Sequence, residues 1–205
     1  MRIANLSEAQ IDALREVSNI GMGHAATALS QLLGKTVHLQ VPQVLITDIS
    51  KVPELLGGAE KMVVGIYLQV LGSARGNILM IFRRENAIRM LDKLLSRDNT
   101  KGGLLSELEV SALKEVGNIL ASAYLNALGS MLKMTLIPSV PVLSFDMAGA
   151  VVDYVLVDLA ADGDLSLMVE TEFFEEGEQV KGHFFLLPDP PSLQVILKSI
   201  GVIHG

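Results

Sequence analysis

A stretch of this chain is written twice. Residues 6–42 slide onto 105–141 without a gap, each position moved by 99, and 15 of the 37 positions are identical. About two or three would coincide by chance. Two units of roughly 100 residues are small for separate cores, and half of the 205 residues are hydrophobic, ample for one shared core. The expectation is one domain over 1–205, made of a first half, 1–99, and a second half, 100–205.

Each copy opens with a helix. Ser7 with Gln10, and Ser106 with Glu109, have the spacing of a capping box, in which side chain and backbone satisfy each other's orphan groups. At about 100° per residue, Ile11, Leu14, Ser18, Gly21, Met22, Ala25, Leu29 and Leu32 gather on one side. In the second copy Val110, Leu113, Gly117, Leu120, Ala121, Tyr124, Leu128 and Met131 do the same. This side is expected to be buried. Gly21 against Leu120 and Ala25 against Tyr124 are differences within it, so the two helices should pack differently.

The opposite side carries the polar residues. Asp12, Glu16 and Asn19 stack on one face, as do Ser111, Glu115 and Asn118, because offsets of three and four residues bring side chains together. Gly23, Thr27 and Ser30, matched by Ser122, Asn126 and Gly129, continue that face with small side chains that leave room for a partner. Asn is mediocre in a helix interior, since it competes for nearby backbone groups. Helix formation alone does not ask for it twice in the same register, although a solvated polar face that survived duplication would show the same pair.

After the first helix, Gly34 is placed as its C-cap, and 36–41 and 44–49 alternate as short strands. A brief helical turn is expected at 51–58, a β-hairpin from 62–70 and 76–82, and a closing helix over 85–96. A polar hinge at 97–103 precedes the second cap. The second half repeats the plan with strands at 135–137 and 142–145, a hairpin from 165–174 and 182–187, and a helix over 192–200 behind Pro190 and Pro191. Segment 147–159 has no clean partner in the first half, and its period does not decide between helix and strand.

Several chemistries are disfavoured. A formal charge of -7 argues against a generic nucleic-acid or anionic-membrane surface. Absence of cysteine removes disulfides and thiolate catalysis. His24, His38, His183 and His204 lack metal-ligand spacing. Gly21-Met22-Gly23 lies inside a helix with no strand before it, so it is no nucleotide fingerprint and is better explained by packing or partner clearance. Glu170, Glu172, Glu175, Glu176 and Glu178 fit a solvated hairpin tip, and no serine sits in a nucleophile elbow. With no apolar signal core at the start and no run long enough to cross a bilayer, a cytoplasmic protein is expected.

The paired Glu and Asn remain. A carboxamide carries a donor and an acceptor, so it can hold a water in one orientation while touching a phosphoryl oxygen, and positioning supplies much of the catalysis in phosphoryl transfer. A carboxylate repels phosphate but can pair with a partner's lysine. Asp12-x3-Glu16-x2-Asn19 and Ser111-x3-Glu115-x2-Asn118 resemble the duplicated signature of the CheC, CheX and FliY family of chemotaxis phosphatases. That resemblance implies removal of the phosphoryl group from the aspartate of phosphorylated CheY, and binding of the receptor deamidase CheD. It implies that Asn19 and Asn118 align the hydrolytic water and that Glu16 and Glu115 pair with the regulator's lysine. The pattern permits both Asp12 and Ser111. The phosphorylated aspartate and Mg2+ would belong to CheY, with no cofactor held by this chain.

The expected architecture is α+β and pseudo-twofold, with two long helices packed on an antiparallel sheet built from both halves. Two docking faces on one monomer follow, with no nucleic acid or membrane as partner. CheD is assigned to 145–152. The alternative is a non-catalytic adaptor, like a flagellar switch module, that binds a response regulator or CheD without hydrolysis.

Overall fold

The structure, a computed structural model, describes residues 7–34, 36, 38–96, 104–159, 165–175 and 178–199. The hinge expected at 97–103 lies outside them, as do Glu176, Ile200 and His204.

Two helices of 26 residues lead the halves: α1, Glu8–Leu33, and α4, Glu107–Leu132. Both start at the predicted capping box. The Ser7 N–H donates to Gln10 Oε1 at 2.8 Å and the Gln10 N–H to Ser7 Oγ at 3.3 Å. In the second copy the Ser106 N–H donates to Glu109 Oε2 at 2.6 Å and the Glu109 N–H to Ser106 Oγ at 3.4 Å. Their ends differ. Gly34 takes the left-handed conformation at φ 63°, whereas Lys133 adopts it at φ 55°, a conformation that costs a non-glycine residue about 1–2 kcal/mol.

Each long helix is followed by strands and a hairpin. The first half holds β1 (His38–Asp48), a 3-10 turn at Ile49–Lys51, the one-turn helix α2 (Val52–Leu55), β2 (Met62–Gly72), β3 (Gly76–Arg83) and α3 (Arg84–Leu94). The second holds β4 (Leu136–Pro138), β5 (Val142–Met147), α5 (Ala148–Leu159), β6 (Leu165–Glu175), β7 (Glu178–Pro188) and α6 (Pro190–Ser199). The first-half strands expected at 36–41 and 44–49 are one strand with a register shift between Gln40 and Gln43. Their counterparts β4 and β5 stay separate across 139–141: Pro138 stands where β1 has Leu39 and cannot donate to a ladder, whereas Pro141 has its counterpart, Pro42, within the continuous β1.

The antiparallel sheet runs β1-β6-β7-β3-β2, and β4 and β5 both lie beside β2. That order reads the same from either end once β1 is equated with β4 and β5, β2 with β6, and β3 with β7. Register keeps the symmetry: Asp48 pairs with Leu165, and Met147, 99 residues further on, pairs with Met62. Each half's first strand therefore completes the other half's hairpin.

Both faces of the sheet are covered, so β2 is buried at six consecutive positions, Val63 to Leu68, instead of alternating. One face carries α1 and α4, where Leu14, Met22, Leu113 and Leu120 meet Ile66, Ile78 and Met80. The other carries α2 and α5, where Val52, Val151, Val152 and Val155 meet Val63, Leu79 and Phe185. Segment 147–159 is thus a helix over most of its length. It does have a first-half counterpart, shrunk to the turn at 49–55 on the same face of the sheet.

Two expectations about the helix faces need correction. Leu32 is 43% exposed and Met131 40%, although both lie on the apolar stripe. In the last turn of α4 the covering neighbour changes from the partner helix to the returning chain: Leu132 is buried, and a Cβ on Gly129 would stand 2.6 Å from the Met134 carbonyl oxygen. Gly129 is therefore buried, not part of an open small-residue face.

Candidate functional site

The outward faces of α1 and α4 carry the predicted residues side by side. Asp12, Glu16 and Asn19 are exposed on α1; Ser111 and Glu115 are exposed on α4, with Asn118 half-buried. In each copy carboxylate and carboxamide lie three residues apart, so they share one face of the helix. The Arg15 guanidinium donates to Asp12 Oδ1 at 3.0 Å, a solvated pair of small energetic weight. Within the described residues no ion pair or side-chain hydrogen bond ties down Glu16, Asn19, Glu115 or Asn118. All four can turn toward an incoming surface.

Room for such a surface differs between the copies. A Cβ added to Gly23 would meet nothing within 4 Å, so the first face is open just beyond Asn19. Ile20, beside that Asn, is 37% exposed. One turn before Ser111 the second face carries Leu108 at 63% exposure, where the first has the exposed Ala9. Leu108 escaped the sequence reading because it falls on a polar face; the pairing of Leu with Ala at equivalent positions was the available signal.

The two faces also rest on different backing. Behind Asn19, Ser18 is 1% exposed, and its Oγ shares a hydrogen bond of 3.4 Å with the Tyr124 hydroxyl of α4. The ring of Tyr124 lies over Gly21, where a Cβ would be 2.6 Å from Cδ2, and its centroid is 4.9 Å from that of Phe184. Burial pushes the Tyr124 phenol up to about 12, against a smaller lowering by the Ser18 hydrogen bond. Behind Asn118 stands Gly117, where a Cβ would be 2.6 Å from Ile66 Cγ2. Gly21 is thus explained by packing, while nothing within the chain requires a glycine at Gly23. The signal for the Gly21–Tyr124 contact was a glycine in one copy set against a ring in the other.

Other candidates do not assemble. Among the described residues no three of His, Asp and Glu gather as metal ligands. His183 stands opposite Glu170 in the β6–β7 ladder, and His24 is exposed on α1. No helix among the described residues is long and apolar enough to cross a membrane.

A duplicated α+β fold with a Glu and an Asn presented on each leading helix defines a class, and comparison with known proteins identifies it. The CheC-like family model matches residues 10–46 and 108–145, one match in each half, and the two spans contain Glu16, Asn19, Glu115 and Asn118. The chain is 36% identical over 200 residues to the CheY-P phosphatase CheC of Bacillus subtilis, covering 96% of each. It belongs to the CheC-like family. Its fold is similar to that of Thermotoga maritima FliY, with a TM-score of 0.79 at 20% identity over 96% of this chain and 98% of that one. It is also similar to a chain in the crystal structure of the CheX-CheY-BeF3-Mg2+ complex of Borrelia burgdorferi, with a TM-score of 0.54 at 15% identity over 87% and 99%.

Proposed function

We propose that the chain is a protein phosphatase that removes the phosphoryl group from the aspartate of phosphorylated CheY, at two docking faces on one monomer. The observation that carries this reading is the Glu–Asn pair at equivalent positions on α1 and α4, exposed except for the half-buried Asn118 and free of internal partners among the described residues. At each face the Asn carboxamide, Asn19 or Asn118, accepts from and steers a water while its N–H contacts a phosphoryl oxygen. The water attacks phosphorus in line, the bond from phosphorus to the aspartyl oxygen breaks, and inorganic phosphate and a free carboxylate result.

Glu16 and Glu115 pair with the lysine of the response regulator and set the docked register, while Asp12 and Ser111 support the motif from one turn away. An acidic chain with no phosphate cradle relies on its substrate for charge neutralisation. CheY brings the Mg2+, and this chain holds no cofactor. Such a reaction belongs in the cytoplasm, with neither nucleic acid nor membrane as partner. The receptor deamidase CheD docks at 145–152, where β5 gives way to α5 and Asp146 and Met147 are exposed. Met147→Asp should abolish CheD capture and leave turnover intact; unaffected capture would move CheD elsewhere.

Phosphate release from phosphorylated CheY by wild type and by the Asn19→Ala, Asn118→Ala double variant tests the catalytic role. Loss of turnover on the order of 100-fold with docking retained supports it. Normal turnover by the double variant would leave only an adaptor.

A further inference from the structure

We propose that Tyr124 is a positioning residue for the first face alone, fixing the turn of α1 that carries Asn19, and that the second face has no counterpart. The inference rests on the reading of Asn19 and Asn118 as residues that orient water.

Tyr124 touches α1 on both sides of Asn19. One residue before it, the buried Ser18 shares its hydroxyl hydrogen bond with Tyr124 at 3.4 Å. Two residues after it, Gly21 lies so close under the ring that a Cβ would stand 2.6 and 2.8 Å from Cδ2 and Cε2. Both contacts go to one side chain from the other half of the molecule, so this turn cannot rotate or slide without displacing the ring. The ring is itself held, 1% exposed and packed on Phe184. Its hydroxyl stays protonated at any working pH, because burial lifts it to about 12.

The same device cannot exist at the second face. The residue 99 after Ser18 is Gly117, which has no hydroxyl, and the residue 99 before Tyr124 is Ala25, which has no ring. Gly117 is instead seated on Ile66 of β2 by shape alone. In-line attack tolerates little misplacement of the nucleophile, and a shift near 1 Å can cost about 100-fold in rate. Losing the hydroxyl bridge should therefore lower turnover at one Asn and not at the other.

Two single-face proteins separate the sites: Asn118→Ala reports the first face and Asn19→Ala the second. With phosphorylated CheY as substrate, adding Tyr124→Phe should lower kcat of the first face about threefold to tenfold with KM unchanged, and leave the second face as it was. Ser18→Ala should do the same, and Ser18→Ala with Tyr124→Phe should be no worse than either, since both remove one bond. Amide hydrogen exchange supplies a readout that needs no catalysis: Tyr124→Phe should speed exchange over 17–23 and not over 116–122. Equal losses at both faces, or a first face unchanged in kcat and in exchange, overturn the proposal. If the Asn19→Ala, Asn118→Ala double variant turns over normally, it is the reading of the Asn residues that fails, and exchange over 17–23 alone decides whether Tyr124 fixes this turn.

Discussion

Helices α1 and α4 present the same two functional groups and are backed in different ways. From position 13 to 20, six of eight residues equal their counterparts 99 residues later; from 21 to 27, none does. The glycine that accommodates Tyr124 and the glycine that accommodates Ile66 are not even at equivalent positions. Up to Ile20 the two copies agree at buried Leu14 and Val17 as well as at Glu16 and Asn19; beyond it the backing diverges. Under the proposed function, a docking partner with one fixed active-site geometry makes the same demand on Asn19 and on Asn118.

The largest consequence of the asymmetry concerns alkali. Burial pushes the Tyr124 phenol from an ordinary 10.0 up to about 12 in the fold, so the unfolded chain ionises first. Its contribution to stability is present below pH 10 and is lost as pH climbs through 12, about 2 kcal/mol of it between those two values. Denaturant unfolding of wild type between those pH values should show that loss, and Tyr124→Phe should be spared it. An identical pH profile for the two would mean that the ring is hydrated.

Next in size is the backing of the second face. Ala at Gly117 places a methyl within contact of Ile66, which is fully buried, and such overpacking costs about 1–3 kcal/mol. Ala at Gly23 meets nothing and removes a helix-weakening glycine, a gain of about 0.5–1 kcal/mol. Thermal unfolding should move Tm down for Gly117→Ala and up for Gly23→Ala. The same direction for both would show that neither glycine is placed by its surroundings.

How much of this could be read from the chain follows the range of the interactions. Capping boxes close within four residues and helical faces within two turns, so both long helices, their starts and the exposure of Glu16, Asn19 and Glu115 were legible. A sheet shared by the halves was expected, but the pairing of β1 with β6 instead of with its own hairpin is non-local, and no local pattern reports it. Segment 147–159 defeated periodicity because Val151, Val152 and Val155 are buried while the exposed Tyr154 and Val157 are also apolar. Met131 and Gly129 were misplaced because a helical wheel knows nothing of a chain that turns back over the last turn of α4. At the candidate site the surface was readable and the support was not: Ser18 and Tyr124 are 106 residues apart.

Charge reversal tests the docking role proposed for Glu16 and Glu115. Glu16→Lys together with Glu115→Lys should weaken binding of phosphorylated CheY about tenfold at moderate salt, because a lysine would then face a lysine. Each single change should disable its own face only, which a titration of the single-face proteins resolves. Unchanged affinity in the double variant would remove the lysine-pairing role and leave the Asn residues to act without it.

The smallest effect tests whether the second face compensates for its simpler support with a firmer grip. An exposed leucine on its own is unremarkable in a soluble protein, so Leu108 matters only if the docked partner covers it. It stands one turn before Ser111 on the same face as Glu115 and Asn118, and the first face has Ala9 in its place. Covering part of a leucine side chain stabilises a complex by about 1 kcal/mol. Leu108→Ala should accordingly raise KM of the second face about three- to fivefold and leave kcat alone, the pattern of binding lost equally from ground and transition states. The reciprocal change is the sharper half, because Ala9→Leu adds surface where nothing was removed. If it lowers KM of the first face, the two helices dock in the same orientation and differ in grip; if Leu108→Ala acts and Ala9→Leu does not, the partner sits differently on the two faces.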